Sequence, residues 1–171
     1  MANRPIRNQR QPDSSGLTEK VLQIRRVSKK TKGGNRITFT ALVIVGDGQG
    51  KVGVGLGKAL AVNLAIQKGS RLARRDMTHL PLIKGTIPHQ ITYKFGAAKV
   101  LLKPAPEGTG IIAGGSVRAV VESAGVKNIV AKILGNNNKM TNVFATLGAL
   151  KQIETLSQIH PYKEKTHAVT K

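Results

Sequence analysis

One continuous stretch, from Ile37 to Asp76, constrains the fold most, because it encodes a hairpin and a helix with almost no linker. Its first segment, ITFTALVIV, is rich in β-branched residues and favours a strand. Alternation at period two puts Thr38 and Thr40 on one face and an apolar set on the other: Ile37, Phe39, Ala41, Val43 and Val45. The following GDGQG supplies glycines for a tight turn, so the sequence predicts an antiparallel hairpin.

The segment after the turn, KVGVGLG, predicts a second strand with two unlike faces. One face carries the branched side chains of Val52, Val54 and Leu56. The other face is bare backbone at three glycines: Gly53, Gly55 and Gly57. Because glycine has no Cβ, we expect a helix or an RNA backbone to approach this face closely.

The helix that follows is predicted to end near Asp76 and to be amphipathic. Its apolar side is predicted to hold Val62, Ile66, Leu72 and Ala73, with Gly69 among them. Its outer side carries a basic stripe made of Lys68, Arg71, Arg74 and Arg75. The stripe lies toward the helix C-terminus, which is the end where the helix dipole favours cations.

The charge of the chain indicates a polyanionic partner. Lys and Arg total 28 against 8 acidic residues, a formal net charge of +20. A compact chain with this charge repels itself, and nucleic acid relieves that repulsion. An anionic membrane surface is the main rival, although no apolar run approaches the roughly 20 residues that span a bilayer. The absence of Cys excludes disulfides and fits a cytoplasmic protein.

The residues before the hairpin supply a second group of cations. Residues 1–16 are polar and basic and are predicted to be a disordered arm, with an amphipathic transit peptide as the alternative. Glu19 to Val27 predicts a strand, and Ser28 to Asn35 predicts a mobile cationic loop. The candidate RNA-binding residues of this half are Arg25, Arg26, Lys29, Lys30, Lys32, Gly33, Gly34, Arg36, Lys51, Lys58, Lys68, Arg71, Arg74 and Arg75.

The rest of the chain predicts a second small domain of β-β-α-β-α order. After a linker at residues 77–85, strands are expected at 86–94 and 98–103, a helix at 117–124 capped by Ser116, and a strand at 128–134. The last helix is predicted to be capped by Thr141 or Asn142. The predicted fold class is therefore α+β with two small domains: a three-stranded sheet plus helix at 17–80 and the second domain at 81–159, followed by a flexible tail at 160–171.

Sequence patterns for catalysis or cofactor binding are weak. Residues 48–53 match G-x-G-x-x-G, but this run lies in a predicted hairpin turn rather than between a strand and a helix. The acidic residues are scattered singly and the histidines lack a metal-ligand spacing. With 3% aromatic residues there is no platform for stacking bases, which favours structured over single-stranded RNA. We therefore predict no catalytic residues, no metal and no cofactor.

Several segments resemble one family, namely Arg26–Lys29, Lys32–Gly34, Phe39–Val43, Val45–Gly48, Gly50–Gly53, Gly57–Ala59 and Leu101–Val121. They are similar to the fifth protein of the bacterial small ribosomal subunit, over about residues 19 to 155. The most specific run is EGTGIIAGG, which begins at Glu107. The chain departs from the family at Ala61-Val62-Asn63, where Glu-Val-Pro is usual, by about one extra residue in Gly135–Asn142, and after Gln158.

The resemblance implies a structural protein of the cytoplasmic ribosome. It implies an N-terminal half like a double-stranded-RNA-binding domain without its first helix, and binding to small-subunit ribosomal RNA at the neck, near the messenger RNA entry path. The implied neighbours are the fourth and eighth small-subunit proteins. Residues Ser28 to Gly34 match the family's loop near the spectinomycin site, and the region of Gly110 and Arg118 matches its fidelity-linked interface with the fourth protein.

Two other functions stay open at the level of sequence. A phosphate-handling enzyme could be built on the second domain, whose fold the resemblance relates to halves of some small-molecule kinases. Its glycine-rich loop, however, has Glu107 as its one acid and contains no lysine. The chain could also be a regulatory RNA-binding protein that acts outside the ribosome.

Overall fold

The protein is described by a computed structural model that covers residues 11–12 and 16–159. The predicted tail at 160–171 and most of the predicted arm at 1–16 lie outside the described residues. The N-terminal half contains β1 (Gln11–Pro12), β2 (Thr18–Thr31), β3 (Gly34–Gly46), β4 (Lys51–Ala59), α1 (Val62–Arg75) and β5 (Met77–His79). The C-terminal half contains β6 (Ile91–Phe95), β7 (Ala98–Pro104), β8 (Ile111–Ile112), α2 (Gly115–Ser123), β9 (Ile129–Ile133) and α3 (Lys139–Ile159). The α+β fold class is confirmed.

The N-terminal sheet is antiparallel, with the strand order β1-β2-β3-β4-β5. The prediction of three strands accounts for the long central ones and misses the two short edge strands. Gln11–Pro12, predicted as part of a disordered arm, pairs with the start of β2, and Pro12 suits an edge strand because it has no N–H to donate. Met77–His79, predicted as a linker, pairs with the start of β4.

The glycine face of β4 is covered by α1. A Cβ atom on any of the three glycines would overlap a backbone carbonyl oxygen of the helix. Gly53 faces that of Ala73, Gly55 that of Gly69, and Gly57 that of Ala65. The buried residues of α1 are accordingly small: Ala65, Gly69, Ser70 and Ala73. Of the predicted apolar side, Gly69 and Ala73 are buried, while Val62, Ile66 and Leu72 are partly buried. Small residues face the sheet because two backbones meet there.

The second half of β3, residues 41–46, is buried on both faces. Ala41, Val43 and Val45 pack toward α1, as the alternation predicts. Leu42 and Ile44 point the other way and join a larger core that also contains Val100 and Val120 of the C-terminal half, so the two halves share one continuous core. A bulge in β2 at Leu22 turns that side chain toward the larger core.

The C-terminal sheet has the order β6-β7-β9-β8, in which only β8 and β9 are parallel. Helix α3 packs on β6 and β7 of this sheet and also contacts β4 and β5, while α2 contacts β2 and β3. The layers are therefore α1, the N-terminal sheet, the pair α2 and α3, and the C-terminal sheet. One face of each outer layer, α1 and the C-terminal sheet, points away from the rest of the molecule.

The predicted helix caps of this half are corrected by the structure. Gly114 is the N-cap of α2, so Ser116 lies inside the helix and is buried. Asn138 caps α3, because its Oδ1 accepts a hydrogen bond from the backbone N–H of Met140 at 3.2 Å. Thr141, one of the two predicted caps, instead donates its hydroxyl to the Asn138 carbonyl oxygen at 3.1 Å.

The turn between β3 and β4 joins the two halves. The backbone N–H groups of Gly48 and Gly50 donate to the carbonyl oxygens of Ser123 and Ala124 at the end of α2, at 3.2 and 2.9 Å. Gly125 ends the helix with a φ of +83°, as predicted, and a Cβ there would overlap the Gly48 carbonyl oxygen. The G-x-G-x-x-G run thus lies in a hairpin turn that caps a helix C-terminus.

Candidate nucleic-acid interface

The predicted cationic loop is a projecting β-ribbon. Strands β2 and β3 pair without interruption from Ile24 and Ala41 out to Thr31 and Gly34, leaving Lys32 and Gly33 as the turn. The Thr31 hydroxyl donates to the Gly34 carbonyl oxygen at 2.8 Å and closes the tip. The prediction of a loop over residues 28–35 is therefore wrong, because backbone pairing continues through residues whose side chains are polar and exposed. We call residues 25–36 the ribbon.

The ribbon carries cations on both faces. The register places Arg25, Lys29 and Arg36 on the face away from α1, and Arg26 and Lys30 on the face toward it. All five side chains are exposed. Lys29 and Arg36 are direct cross-strand partners, an arrangement of like charges that destabilises a free hairpin. A bound polyanion would remove that repulsion.

Three more of the predicted RNA-binding residues line a groove between β4 and α1. Lys58 of β4 and Lys68 and Arg71 of α1 line it, together with the exposed Leu64. Lys58 is also the β-sheet partner of Thr40, which lies opposite Arg25 in the neighbouring strand pair. Lys58, which lines the groove, therefore lies in the same row across the sheet as Arg25 at the base of the ribbon.

Arg74 is exposed but, unlike the other cations of the stripe, forms an ion pair with another part of the chain that the structure describes. Its Nη2 and Nε donate to Oε1 of Glu19 at 2.9 and 3.2 Å, and the Ser70 hydroxyl donates to Oε2 of the same carboxylate at 2.8 Å. Glu19 lies in β2, so this network fastens α1 to the sheet. Sequence spacing groups Arg74 with the other cations but gives no indication of its partner.

Two predicted residues lie at the opposite end of the sheet. Lys51 begins β4, and its backbone N–H donates to Asp47 Oδ1 at 2.9 Å in the turn that joins the two halves. Arg75 is in the last turn of α1, which reaches this same end because Ala73 lies against Gly53. Both side chains are exposed. The structure therefore divides the predicted RNA-binding residues between two ends of the N-terminal sheet.

Gly110 and Arg118, the predicted protein-interface residues, flank the start of α2. The Gly110 N–H donates to Asn128 Oδ1 at 3.1 Å, and its carbonyl oxygen accepts from the Ile129 N–H at 3.0 Å, so the loop is held against β9. Arg118 is exposed and lies in the first turn of α2, where its N–H donates to the Gly114 carbonyl oxygen. It has no ion-pair partner among the described residues.

One group of cations was missed by the sequence analysis. Lys94, Lys99, Lys103 and Lys132 project from the outer face of the C-terminal sheet. The signal was present in the period-two spacing of Lys99, Leu101 and Lys103, which puts all three on one face of a strand.

Other chemistry is sparse in the described part of the chain. Residues 11–12 and 16–159 contain no group of three or more His, Asp and Glu side chains that could hold a metal ion. Glu107 of the glycine-rich loop is exposed. Over the same residues, no helix combines the length and apolar character needed to cross a membrane.

Comparison with known proteins identifies both halves. The family model described as ribosomal protein S5, N-terminal domain, matches residues 17–81, and the one described as ribosomal protein S5, C-terminal domain, matches residues 93–161.

Individual relatives match over most of their length. The small ribosomal subunit protein uS5 of Rubrobacter xylanophilus is 52% identical over 145 residues, covering 85% of this chain and 72% of the relative. The uS5 of Legionella pneumophila is 50% identical over 155 residues, covering 91% of this chain and 92% of the relative. That of Chloroflexus aurantiacus is 46% identical over 155 residues, with coverages of 91% and 87%.

Proposed function

The chain belongs to the family of ribosomal protein S5, and we propose that it is a structural component of the small ribosomal subunit that binds the subunit's RNA in the cytoplasm. The observation that carries this proposal is the ribbon, which presents cations on both faces, together with the cationic groove that Lys58, Lys68 and Arg71 line in the same half. Such a surface neutralises phosphates on more than one side, which suits insertion between RNA segments in a folded ribonucleoprotein.

The RNA-binding residues divide by location and by partner. The ribbon residues and the groove residues Lys58, Lys68 and Arg71 form the main contact. Lys51 and Arg75 contact RNA separately, at the other end of the sheet. Arg74 acts mainly by fixing α1 through Glu19, because its guanidinium is already engaged there.

Protein and messenger RNA partners follow from the resemblance. The neighbours are the fourth and eighth small-subunit proteins, and the chain binds ribosomal RNA at the neck, near the messenger RNA entry path. Arg118 and Gly110 form the contact with the fourth protein. The exposed, unpaired guanidinium of Arg118, at a helix start whose dipole disfavours a cation, supports a carboxylate partner in another chain.

The role is structural and supports decoding accuracy, and it involves no catalytic step of its own. Three acids in the described range form ion pairs: Glu19 with Arg74, Glu122 with Lys20, and Asp76 with Lys151. The pairs lie on separate elements, so they join parts of the fold and do not converge as an acid–base pair would.

Competition binding tests the proposal. The purified chain is titrated with labelled small-subunit ribosomal RNA in the presence of either unlabelled small-subunit or large-subunit ribosomal RNA. We expect the small-subunit RNA to compete at lower concentration, because both folded shape and phosphate position contribute to binding. Equal competition by the two RNAs would contradict specific binding to the small subunit.

A further inference from the structure

We propose that the outer face of the C-terminal sheet is a second RNA-binding surface, which contacts phosphates of an RNA segment other than the one held by the ribbon. This inference rests on the proposed function. The surface consists of four lysines that alternate with apolar side chains on β6, β7 and β9, and we call it the lysine face: Lys94, Lys99, Lys103 and Lys132.

Strand register places the lysines on one surface. Lys94 pairs with Lys99, Lys132 pairs with Leu101, and Lys103 pairs with Val130, and directly paired residues project from the same face of a sheet. Lys99 and Lys103 are about 13 Å apart along β7, and β6 to β9 spans about 10 Å across the strands. The lysine face is therefore wide enough to contact several phosphates of one RNA backbone.

The charges on this surface are uncompensated. All four lysines are exposed, and none of their side-chain ammonium groups has an ion-pair or hydrogen-bond partner within residues 16–159. No acidic residue occurs in β6, β7, β8 or β9. Lys94 and Lys99 are direct cross-strand partners, which costs stability in the free protein, and a polyanion would offset that cost.

RNA fits the surface better than a protein does, because lysines lie among its apolar side chains and its one directly paired apolar couple, Val130 and Ile112, lies at the edge of the sheet. Leu134 is bonded through its N–H to the Lys99 carbonyl oxygen and is 52% exposed, and Val130 lies between Lys103 and Ile112. Protein interfaces are depleted in lysine at their centre, whereas phosphate contacts are made by Lys and Arg.

The lysine face lies at the opposite side of the molecule from α1. Helices α2 and α3 separate the C-terminal sheet from the N-terminal sheet, and α1 covers the far side of the latter. One RNA segment therefore cannot lie against the lysine face and α1 without passing around the protein. An RNA segment on the lysine face is therefore a different one from the segment that contacts Lys68 and Arg71 of α1.

The test compares the double variant Lys99→Gln/Lys132→Gln with a control of equal charge, Lys84→Gln/Lys127→Gln. The control lysines are exposed and lie near Glu107, off the lysine face. Binding to full-length small-subunit ribosomal RNA is measured at 50 to 200 mM salt. Each lost phosphate contact lowers the slope of log affinity against log salt by about 0.9, so the double variant should lose about 2 units of slope and the control almost none.

Two further measurements keep the result interpretable. Lys99→Arg/Lys132→Arg keeps the charge and should retain the wild-type slope. Acylation of lysines with an amine-reactive reagent should be reduced at the lysine face by bound RNA and unchanged at Lys84 and Lys127. Melting temperatures show whether each variant is folded.

The outcomes separate this inference from the proposed function. A flat salt dependence of the wild-type chain would overturn both. A second outcome would overturn only the second surface. In that outcome the wild type shows a steep salt dependence of RNA binding, and Lys68→Gln/Arg71→Gln reduces it. Lys99→Gln/Lys132→Gln, however, binds RNA like its control, and bound RNA does not reduce acylation of the lysine face. Loss of binding to another ribosomal protein with no change in RNA binding would likewise overturn it, in favour of a protein partner.

Discussion

Gly55 of β4 and Gly69 of α1 touch backbone to backbone, and a Cβ atom on Gly55 would overlap the Gly69 carbonyl oxygen. This contact sets the distance between the helix and the sheet, and so the position of the basic stripe relative to the ribbon. Two flanking contacts repeat it, at Gly53 and Gly57. The glycine face therefore serves helix packing, one of the two uses that its sequence allows.

Substitution of Gly55 should destabilise the fold. Gly55→Val places a branched side chain against helix backbone that cannot move aside, and overpacking of this kind costs at least about 1 to 3 kcal/mol. Thermal unfolding should show a clear fall in melting temperature. Gly115→Ala is the control, because a Cβ there meets no atom within 4 Å, and its melting temperature should be unchanged or slightly higher.

Neutralising the cross-strand pair in the ribbon should separate binding from stability. Lys29→Gln/Arg36→Gln removes two like charges that face each other, so the free energy of unfolding should stay the same or rise by a few tenths of a kcal/mol. The same change removes up to two phosphate contacts and should lower the salt slope of RNA binding by about 2. Unchanged RNA affinity would show that the ribbon is not a binding element.

Arg71 and Arg74 should behave differently although both belong to the predicted stripe. Arg71→Gln should weaken RNA binding and leave the melting temperature unchanged, since its side chain is exposed and lines the groove. Arg74→Gln breaks the pair with Glu19 and should cost about 1 kcal/mol of unfolding free energy. Matched RNA-binding and unfolding measurements on the two variants test this, and equal behaviour would contradict the division.

Arg118 should act through a protein neighbour. Arg118→Ala should leave RNA binding by the isolated chain almost intact, and removing a cation from the start of α2 should change stability by no more than a few tenths of a kcal/mol. It should loosen the contact with the fourth small-subunit protein and raise miscoding in a translation-fidelity assay. If Arg118→Ala instead weakens RNA binding as much as Arg71→Ala does, with wild-type miscoding, the protein-interface role is wrong.

Period-two alternation and glycine placement are enough to predict the central hairpin, the helix and the order of the longer C-terminal elements, because these signals are local. The short strand β8, which lies between β7 and α2, is not part of the predicted order. Two features of the fold are not predicted because they depend on contacts between distant parts of the chain. Polar side chains predict a loop at residues 28–35 of the ribbon, yet strand pairing needs only backbone partners, which β2 and β3 supply to each other. The burial of Leu42 and Ile44 was missed because it depends on the C-terminal half.

The candidate site shows the same limit. The basic residues are visible in the sequence, but Arg74 and Arg71 cannot be told apart until Glu19, in a distant strand, is seen to reach one of them. The lysine face was likewise missed because its members come from three strands whose register the sequence does not give.

Sucrose-gradient sedimentation of a cell extract tests the central claim most directly. The chain is followed through the gradient with an antibody at low salt and again after a high-salt wash. Membership of the small subunit predicts that it sediments with small-subunit particles and intact ribosomes, and is nearly absent from the top of the gradient. If it remains at the top with the free proteins while other small-subunit proteins sediment normally, it acts outside the ribosome and the account is wrong.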